Sequence, residues 1–332
     1  MRRLSPILLD SLWLVNIGCA DAQHERASTR KKENMRVFVT GATGFIGSAI
    51  VQELINAGHH VIGLVRSDAG ARSLAAAGAE VHRGDLEDLE SLRSGAGNAD
   101  AVIHTAFNHD FSKYVANCEA DRQVIEALGD VLAGSGRLLV VTSGTGMANS
   151  GPRISATEHD APASSKVIPR AASEEAAASV ANRGVRTAIV RLPQVHDTVR
   201  QGLVTYAIHV AREKGVAAYV GDGLNRWPAA HLFDTARLYR MALEKAQAGA
   251  RYHAVAEEGV PARDIAEVIG RGLSVPVRSI APEKAAEHFG WLAAFVGWDV
   301  PASSARTQEE LGWNPTGPGL ISDLENMRYL PA

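Results

Sequence analysis

The run Thr-Gly-Ala-Thr-Gly-Phe-Ile-Gly at positions 40–47 constrains this chain more than any other segment. It joins a β-branched stretch, "RVFVTG" (36–41), to an amphipathic one, "FIGSAIVQELINAG" (45–58). In the second stretch Ile46, Ile50 and Leu54 share one helical stripe, with Val51 and Ile55 beside it, and Gly58 stands where a helix would stop. Each glycine has a separate physical use in a strand–turn–helix. Gly41 permits the tight turn, Gly44 lets backbone approach a diphosphate, and Gly47 permits close helix–strand packing. Free amides and the helix dipole favour an anion there, so Thr43, Gly44, Phe45, Ile46 and Gly47 are candidate diphosphate contacts. The glycines alone would also suit a bare tight turn. Their position between a strand and a helix points to a dinucleotide site.

The same alternation continues downstream. "HVIGLVR" (60–66), "AEVHRGD" (79–85), "DAVIHTA" (100–106), "RLLVVTS" (137–143) and "RTAIVRL" (186–192) read as strands. Helical segments fall between them, near 68–77, 86–94, 112–133 and 169–183. Strands apolar on both faces, separated by helices, predict an α/β fold with a doubly wound parallel sheet. This domain spans 35–193, with later segments returning to it. Residues 194–332 read mainly as a smaller substrate lobe, with short strands at 217–221, 251–255 and 276–280 and a helix at 282–297. Residues 1–34 carry six basic and four acidic side chains and an interrupted apolar stretch too short to span a bilayer. They read as a little-ordered upstream extension of a cytoplasmic protein, with an export signal as the alternative.

Composition narrows the partners. With 34 basic and 37 acidic residues in 332, the net charge of −3 offers no strong field for nucleic acid or an anionic membrane. Cys19 and Cys118 make no disulfide framework, and no Cys/His spacing suggests a metal site. A small-molecule substrate remains.

Cofactor choice is read at the end of the second strand. An acid there would bind a ribose 2′-hydroxyl and repel a 2′-phosphate. Arg66 and Ser67 stand there instead, which favours NADP over NAD. Asp85, in "GDLED" (84–88), suits the adenine amino group or a helix N-cap. Leu86, Thr105, Ala106, Phe107 and Pro193 follow the carboxyl ends of strands, where open α/β sheets bind ligands, and are further cofactor candidates.

Taken in order, "TGATGFIG", "GDLED", "VIHTAF", "VVTSGT", "IVRLPQV" and "GDGLNRWPAAHLFDTARLYRMALE" resemble an extended short-chain dehydrogenase/reductase of the epimerase/dehydratase branch. The resemblance covers about residues 35–325 and fits an atypical subgroup. It implies NAD(P) binding, chemistry on an alcohol, ketone or nucleotide sugar, and a homodimer through the helices near 112–133 and 169–183. It also implies a Tyr-x-x-x-Lys pair, which passes a proton as hydride moves. None of the tyrosines at 114, 206, 219, 239, 252 and 329 has lysine four positions later. Arg170 and Glu174 take the pair's places, and arginine is too weak an acid to replace a phenol near neutral pH. Ser143 or Thr145 corresponds to the family's upstream hydroxyl, and Asn117 to its asparagine, with Asp121 one turn on.

Other proton handlers lie on carboxyl-edge loops: His109 and Asp110 in "FNHDF" (107–111), and His196 after "RLPQV". His104 reads as a hydrogen-bonded core residue. In "GDGLNRWPAAH" (221–231), read as a polar loop, Asn225, Trp227 and His231 are candidate substrate contacts, and Asp234 a helix cap. Trp291, Trp298 and Trp313 read as lobe core. The expectation is an NAD(P)-dependent oxidoreductase acting on a small carbonyl or alcohol with a non-standard catalytic site. The alternative is a dinucleotide-binding sensor without turnover.

Overall fold

The computed structural model describes residues 34–148 and 154–327. The reading of the N-terminal extension therefore lies outside the described residues, as does Tyr329. The elements run β1 (Arg36–Thr40), α1 (Phe45–Asn56), β2 (His60–Val65), α2 (Asp68–Ala76), β3 (Glu80–Arg83), α3 (Leu89–Gly97), β4 (Ala101–His104), α4 (Tyr114–Leu132), β5 (Leu138–Gly144), α5 (Ala172–Asn182) and β6 (Arg186–Leu192). Then come β7 (Gln194–His196), α6 (Val204–Lys214), β8 (Ala217–Val220), β9 (Arg226–His231), α7 (Leu232–Lys245), β10 (Ala250–His253), β11 (Glu257–Pro261), α8 (Ala262–Leu273) and β12 (Val277–Ile280). Four short helices follow: α9 (Ala285–Phe289), α10 (Ala293–Val296), α11 (Ala305–Leu311) and α12 (Leu320–Glu325).

Seven strands form one parallel sheet in the order β3-β2-β1-β4-β5-β6-β10. Its order reverses between β1 and β4, which opens a crevice at the carboxyl ends of those two strands. Every residue of β4 is buried, as expected of a central parallel strand covered on both faces. One face packs Val37, Val39 and Ile103 against Ile50, Leu54, Leu238 and Tyr239 of α1 and α7. The other packs Phe38, Val102 and Leu139 against Leu92, Ile125, Leu128 and Val180 of α3, α4 and α5.

A third core, including Trp227, Ile265, Phe289 and Leu292, fills the C-terminal lobe. The lobe carries two small sheets, β11-β9-β7 and β12-β8. Two local expectations are corrected. The helix expected over 282–297 breaks at Gly290, where φ is +56°. The polar loop expected over 221–231 ends at Asn225, because Arg226–His231 is the central strand of the three-stranded sheet. Among the described residues no helix is long and apolar enough to cross a membrane.

Candidate functional site

The glycine turn shows why these positions exclude side chains. Gly41 has φ +70°, and a Cβ there would lie 2.8 Å from both the Ala106 amide and Thr105 Oγ1. A Cβ on Gly47 would fall 2.0 Å from the Gly41 carbonyl oxygen, so α1 can sit this close to β1 only with glycine. Gly44 is exposed and is the N-cap of α1, without a capping side chain. No acidic residue stands in the first turn. The opening turn thus presents amides to solvent, a ready anion site. Thr43 is exposed beside it, and Phe45 and Ile46 are half-buried against the core. The Thr105 hydroxyl donates to the Thr40 carbonyl (2.7 Å), and the Ala106 amide donates to Thr40 Oγ1 (3.3 Å). These bonds fasten the loop after β4 to the glycine turn.

At the end of β2, Arg66 is exposed, with its Nε 3.5 Å from Asp85 Oδ2. Ser67 caps α2 by accepting from the Gly70 amide (3.1 Å). Asp85 accepts from the Glu87 amide, and the cap of α3 is Asp88, not Asp85. Leu86 packs against the sheet face that carries Phe38.

Arg170 and Glu174, expected in the places of the family's pair, each take part in an ion pair with a buried carboxylate. Arg170 Nη1 donates to Asp121 Oδ2 (2.9 Å), its other nitrogen donates to the Thr142 carbonyl (3.2 Å), and the guanidinium lies 4.2 Å over the Phe107 ring. Asp121 also accepts from Ser173 and pairs with His104 Nε2 (2.9 Å), whose Nδ1 meets Thr40 Oγ1 (2.7 Å). His104 is thus the hydrogen-bonded core histidine the sequence suggested. Burial alone would raise the Asp121 pKa, but the Arg170 charge and the His104 and Ser173 bonds outweigh it and bring it down to about 2. Glu174 takes a bidentate bond from Arg191 (2.8 and 2.9 Å), a second ion pair from Arg251, and the Ser143 hydroxyl (2.7 Å). Ser143 therefore points its proton at a carboxylate. Thr145 is buried, its hydroxyl making a long contact (3.4 Å) to the Leu192 carbonyl. Pro193 is half-buried between β6 and β7. Asn117 Nδ2 donates to the Asn108 and Asp110 carbonyls, which shapes the loop after β4.

His109 stands on that loop, edge-on to Phe107 (5.3 Å) and Phe111 (6.0 Å). The surrounding carbon and the nearby Arg170 charge hold its pKa below the usual histidine value. Asp110 is exposed and caps the turn Phe111–Lys113; the Ser112 hydroxyl bond lowers its pKa. His196 is not on an open edge. It is buried, with Nδ1 2.7 Å from Asp323 and Nε2 without a hydrogen-bond partner among the described residues. Burial keeps it less basic than usual despite Asp323.

Beyond the loop after β4 lies a cavity of about 250 Å³, walled by Phe111, Tyr114, Pro169, Trp291, Phe295 and Trp298. The β5 loop reaches it too, since a Cβ on Gly146 would sit 3.6 Å from the Trp298 ring. Trp291 and Trp298 thus line a cavity, and Trp313, expected in the lobe core, is instead packed in the core on the α7 side of the large sheet. The expected substrate contacts lie elsewhere. Trp227 is in the lobe core. His231 caps α7 by accepting from the Phe233 amide. Asp234, expected as that cap, lies inside the first turn and accepts from the Thr316 and Gly317 amides. Asn225 holds the cavity wall from behind, donating to the Val296 and Trp298 carbonyls. Sequence reasoning did not place Tyr114, Trp291, Phe295 and Trp298 around a cavity. The available signal was "FGWLAAFVGW" (289–298), four aromatics within ten residues of a chain only 5% aromatic.

The comparisons agree with this fold. A family model, the NAD dependent epimerase/dehydratase family, matches residues 37–256. An uncharacterised protein of Schizosaccharomyces pombe is 49% identical over 89% of this chain and all of its own length. The UDP-glucose 4-epimerase of Streptomyces lividans is 26% identical over 85% of this chain and 92% of its own. Among solved structures, DesIV, a dTDP-glucose 4,6-dehydratase from Streptomyces venezuelae with NAD and TYD bound, superposes with TM-score 0.71. It is 21% identical, with 89% of this chain and 96% of that chain covered. By its glycine turn, its strand order and the length of these matches, the chain belongs to the NAD dependent epimerase/dehydratase family.

Proposed function

We propose that this protein is an NAD(P)-dependent oxidoreductase of the epimerase/dehydratase type, with NADP favoured, acting on a small carbonyl or alcohol. The observation that carries the reading is the uncapped, acid-free start of α1 over a turn that no side chain can fill. A dinucleotide diphosphate fits there: Gly41, Thr43, Gly44, Phe45, Ile46 and Gly47 would hold it. Thr105, Ala106, Phe107 and Pro193 would flank the nicotinamide half, with Asp85 and Leu86 toward the adenine. Bound NAD(P) supplies the hydride donor or acceptor. The NAD in DesIV and in the Thermus thermophilus UDP-glucose 4-epimerase complex supports the assignment.

The preference for NADP rests on Arg66, exposed and only loosely paired with Asp85, and so available to a 2′-phosphate. Ser67 contributes by capping α2 rather than as a second ligand. Arg66→Ala is expected to weaken NADPH binding about tenfold while NADH changes little.

Proton handling falls to His109. It stands on the open loop beside Phe107, and the surrounding carbon and the Arg170 charge lower its pKa. Asp110 shapes the same loop, and Thr145 is a candidate hydrogen-bond partner for a substrate oxygen. Arg170 fixes Phe107 and Asp121 and moves no proton. His196, buried with Asp323, acts in packing. NADPH oxidation across a panel of ketones and aldehydes tests the reading. His109→Ala is expected to cut turnover at least about tenfold with dinucleotide affinity unchanged. A protein that binds NADPH but reduces no member of the panel contradicts it.

A second reading has its own support. Arg170 and Glu174, which the family resemblance puts in the pair's places, are engaged in the Arg170–Asp121 and Glu174–Arg191 ion pairs, and Ser143 is held by Glu174. That favours a dinucleotide-binding sensor without turnover, and the same panel separates the two.

The reading takes a small molecule as ligand, no nucleic acid or membrane, a cytoplasmic location and a homodimer. The dimer would use the outer faces of α4 and α5, where Glu119, Gln123, Ala178 and Ser179 remain exposed. Sedimentation as a monomer at working concentration removes that element.

A further inference from the structure

The cavity beyond the loop after β4 is a box of rings. Phe111 stacks on Trp291 with centroids 4.3 Å apart and planes within 8°. Phe295 meets Trp298 at 5.3 Å, and Tyr114 meets Phe295 edge-on at 6.0 Å. Aromatic faces and edges of this kind receive another ring in offset or T-shaped contact. The mouth is apolar as well: Val167 is 77% exposed and Trp291 42%. Apolar groups left open to water around a concavity mark a place where a ligand covers them.

We propose that this cavity binds the flat, uncharged aromatic end of the substrate, a one- or two-ring carbonyl compound or its alcohol. It is not the seat of a nucleotide sugar. Size argues for this. At about 250 Å³ the space is below the roughly 300–1,000 Å³ of common ligand pockets. One or two rings fill it, and a nucleoside diphosphate with its sugar does not. Charge argues the same way. A diphosphate needs cations or several amide donors, yet among the described residues no basic side chain lines the wall. Lys113 and Lys166 flank it, exposed, and Arg170 beside Pro169 is already paired with Asp121. Polar atoms on the wall that suit an uncharged carbonyl are the indole N–H groups of Trp291 and Trp298 and the Tyr114 hydroxyl, which also bonds the Cys118 thiol. Burial pushes the Tyr114 phenol up to about 12. Asn225 and the Arg226–Asp299 ion pair brace the segment that carries Trp298.

That the aromatic compound is a substrate rests on the oxidoreductase reading; that it binds here does not. The test therefore measures binding apart from turnover. The full chain is titrated with 2-acetyl-6-methoxynaphthalene, whose emission reports an apolar site, and with UDP-glucose by calorimetry. Saturable binding of the naphthyl ketone, undisturbed by UDP-glucose, is expected. Ala294→Trp, which fills the space, and Trp298→Leu, which removes a wall, should each weaken it about tenfold with NADPH affinity unchanged. A melting curve for each variant shows that it is folded, and Tyr114→Phe serves as a milder probe that should weaken the ketone alone. Saturable UDP-glucose binding that displaces the ketone, no ketone binding, or ketone binding indifferent to all three variants overturns the proposal. Loss of NADPH binding in the wild type, with the ketone still bound, overturns the oxidoreductase reading and leaves the cavity assignment standing.

Discussion

At the residue scale the firmest constraint is steric. The Gly47 contact with the Gly41 oxygen leaves no room for even a methyl group. Gly47→Ala should lower stability by about 1–3 kcal/mol and abolish dinucleotide binding, read by thermal melting and titration together. This part of the site was legible because its atoms lie within eight residues of one another. The Arg170–Asp121 pair was not: its partners are 49 positions apart, and Asp121 is linked to His104 as well. The sequence reading could name Arg170 as a substitute for tyrosine but not foresee its partner. Arg170→Ala removes the full charge paired with Asp121, leaving it His104 and Ser173, and should cost about 1–3 kcal/mol; a change below about 0.5 kcal/mol would mark Arg170 as a free surface group. The pH dependence has a definite sign. Asp121 titrates at about 2 in the folded protein against an ordinary 3.8, so its contribution is complete above that ordinary value. It drains away as pH falls toward 2, by about 2 kcal/mol in all. Chemical denaturation in steps from pH 5 to 2 should show this loss in the wild type and a smaller one in Asp121→Asn.

At the scale of elements, hydrophobic periodicity marked the strands and helices of the large sheet, since each is apolar on the faces its neighbours cover. It failed at β9, the segment "RWPAAH". Proline inside a run argues against a central strand. The chain accommodates Pro228 with a register shift between Glu257 and Val260 on the neighbouring strand. Small residues let α4 and α5 pack closely within the chain. A Cβ on Gly129 would lie 2.4 Å from Val180 Cγ1. Gly129→Ala should therefore destabilise by about 1–3 kcal/mol despite alanine's better helix propensity. Adding Val180→Ala should recover part of the loss, and a double-mutant cycle by urea denaturation measures the coupling.

At the scale of the whole molecule, the loop after β4 is bonded to Thr40 at one end and contributes Phe111 to the aromatic cavity at the other. Phe111 links loop and lobe: it belongs to the loop after β4, yet it stacks on Trp291 of the lobe. No local pattern predicts that contact, since 180 positions separate the two rings. The same reason hid the cavity, while the glycine turn was plain. The account depends on the opening turn of α1 gripping a diphosphate. Isothermal titration of the wild type with NADPH, NADP, NADH and NAD tests this most directly. Saturable binding is expected, tighter for the phosphorylated pair and lost in Gly47→Ala; the absence of saturable heat with all four dinucleotides would contradict it.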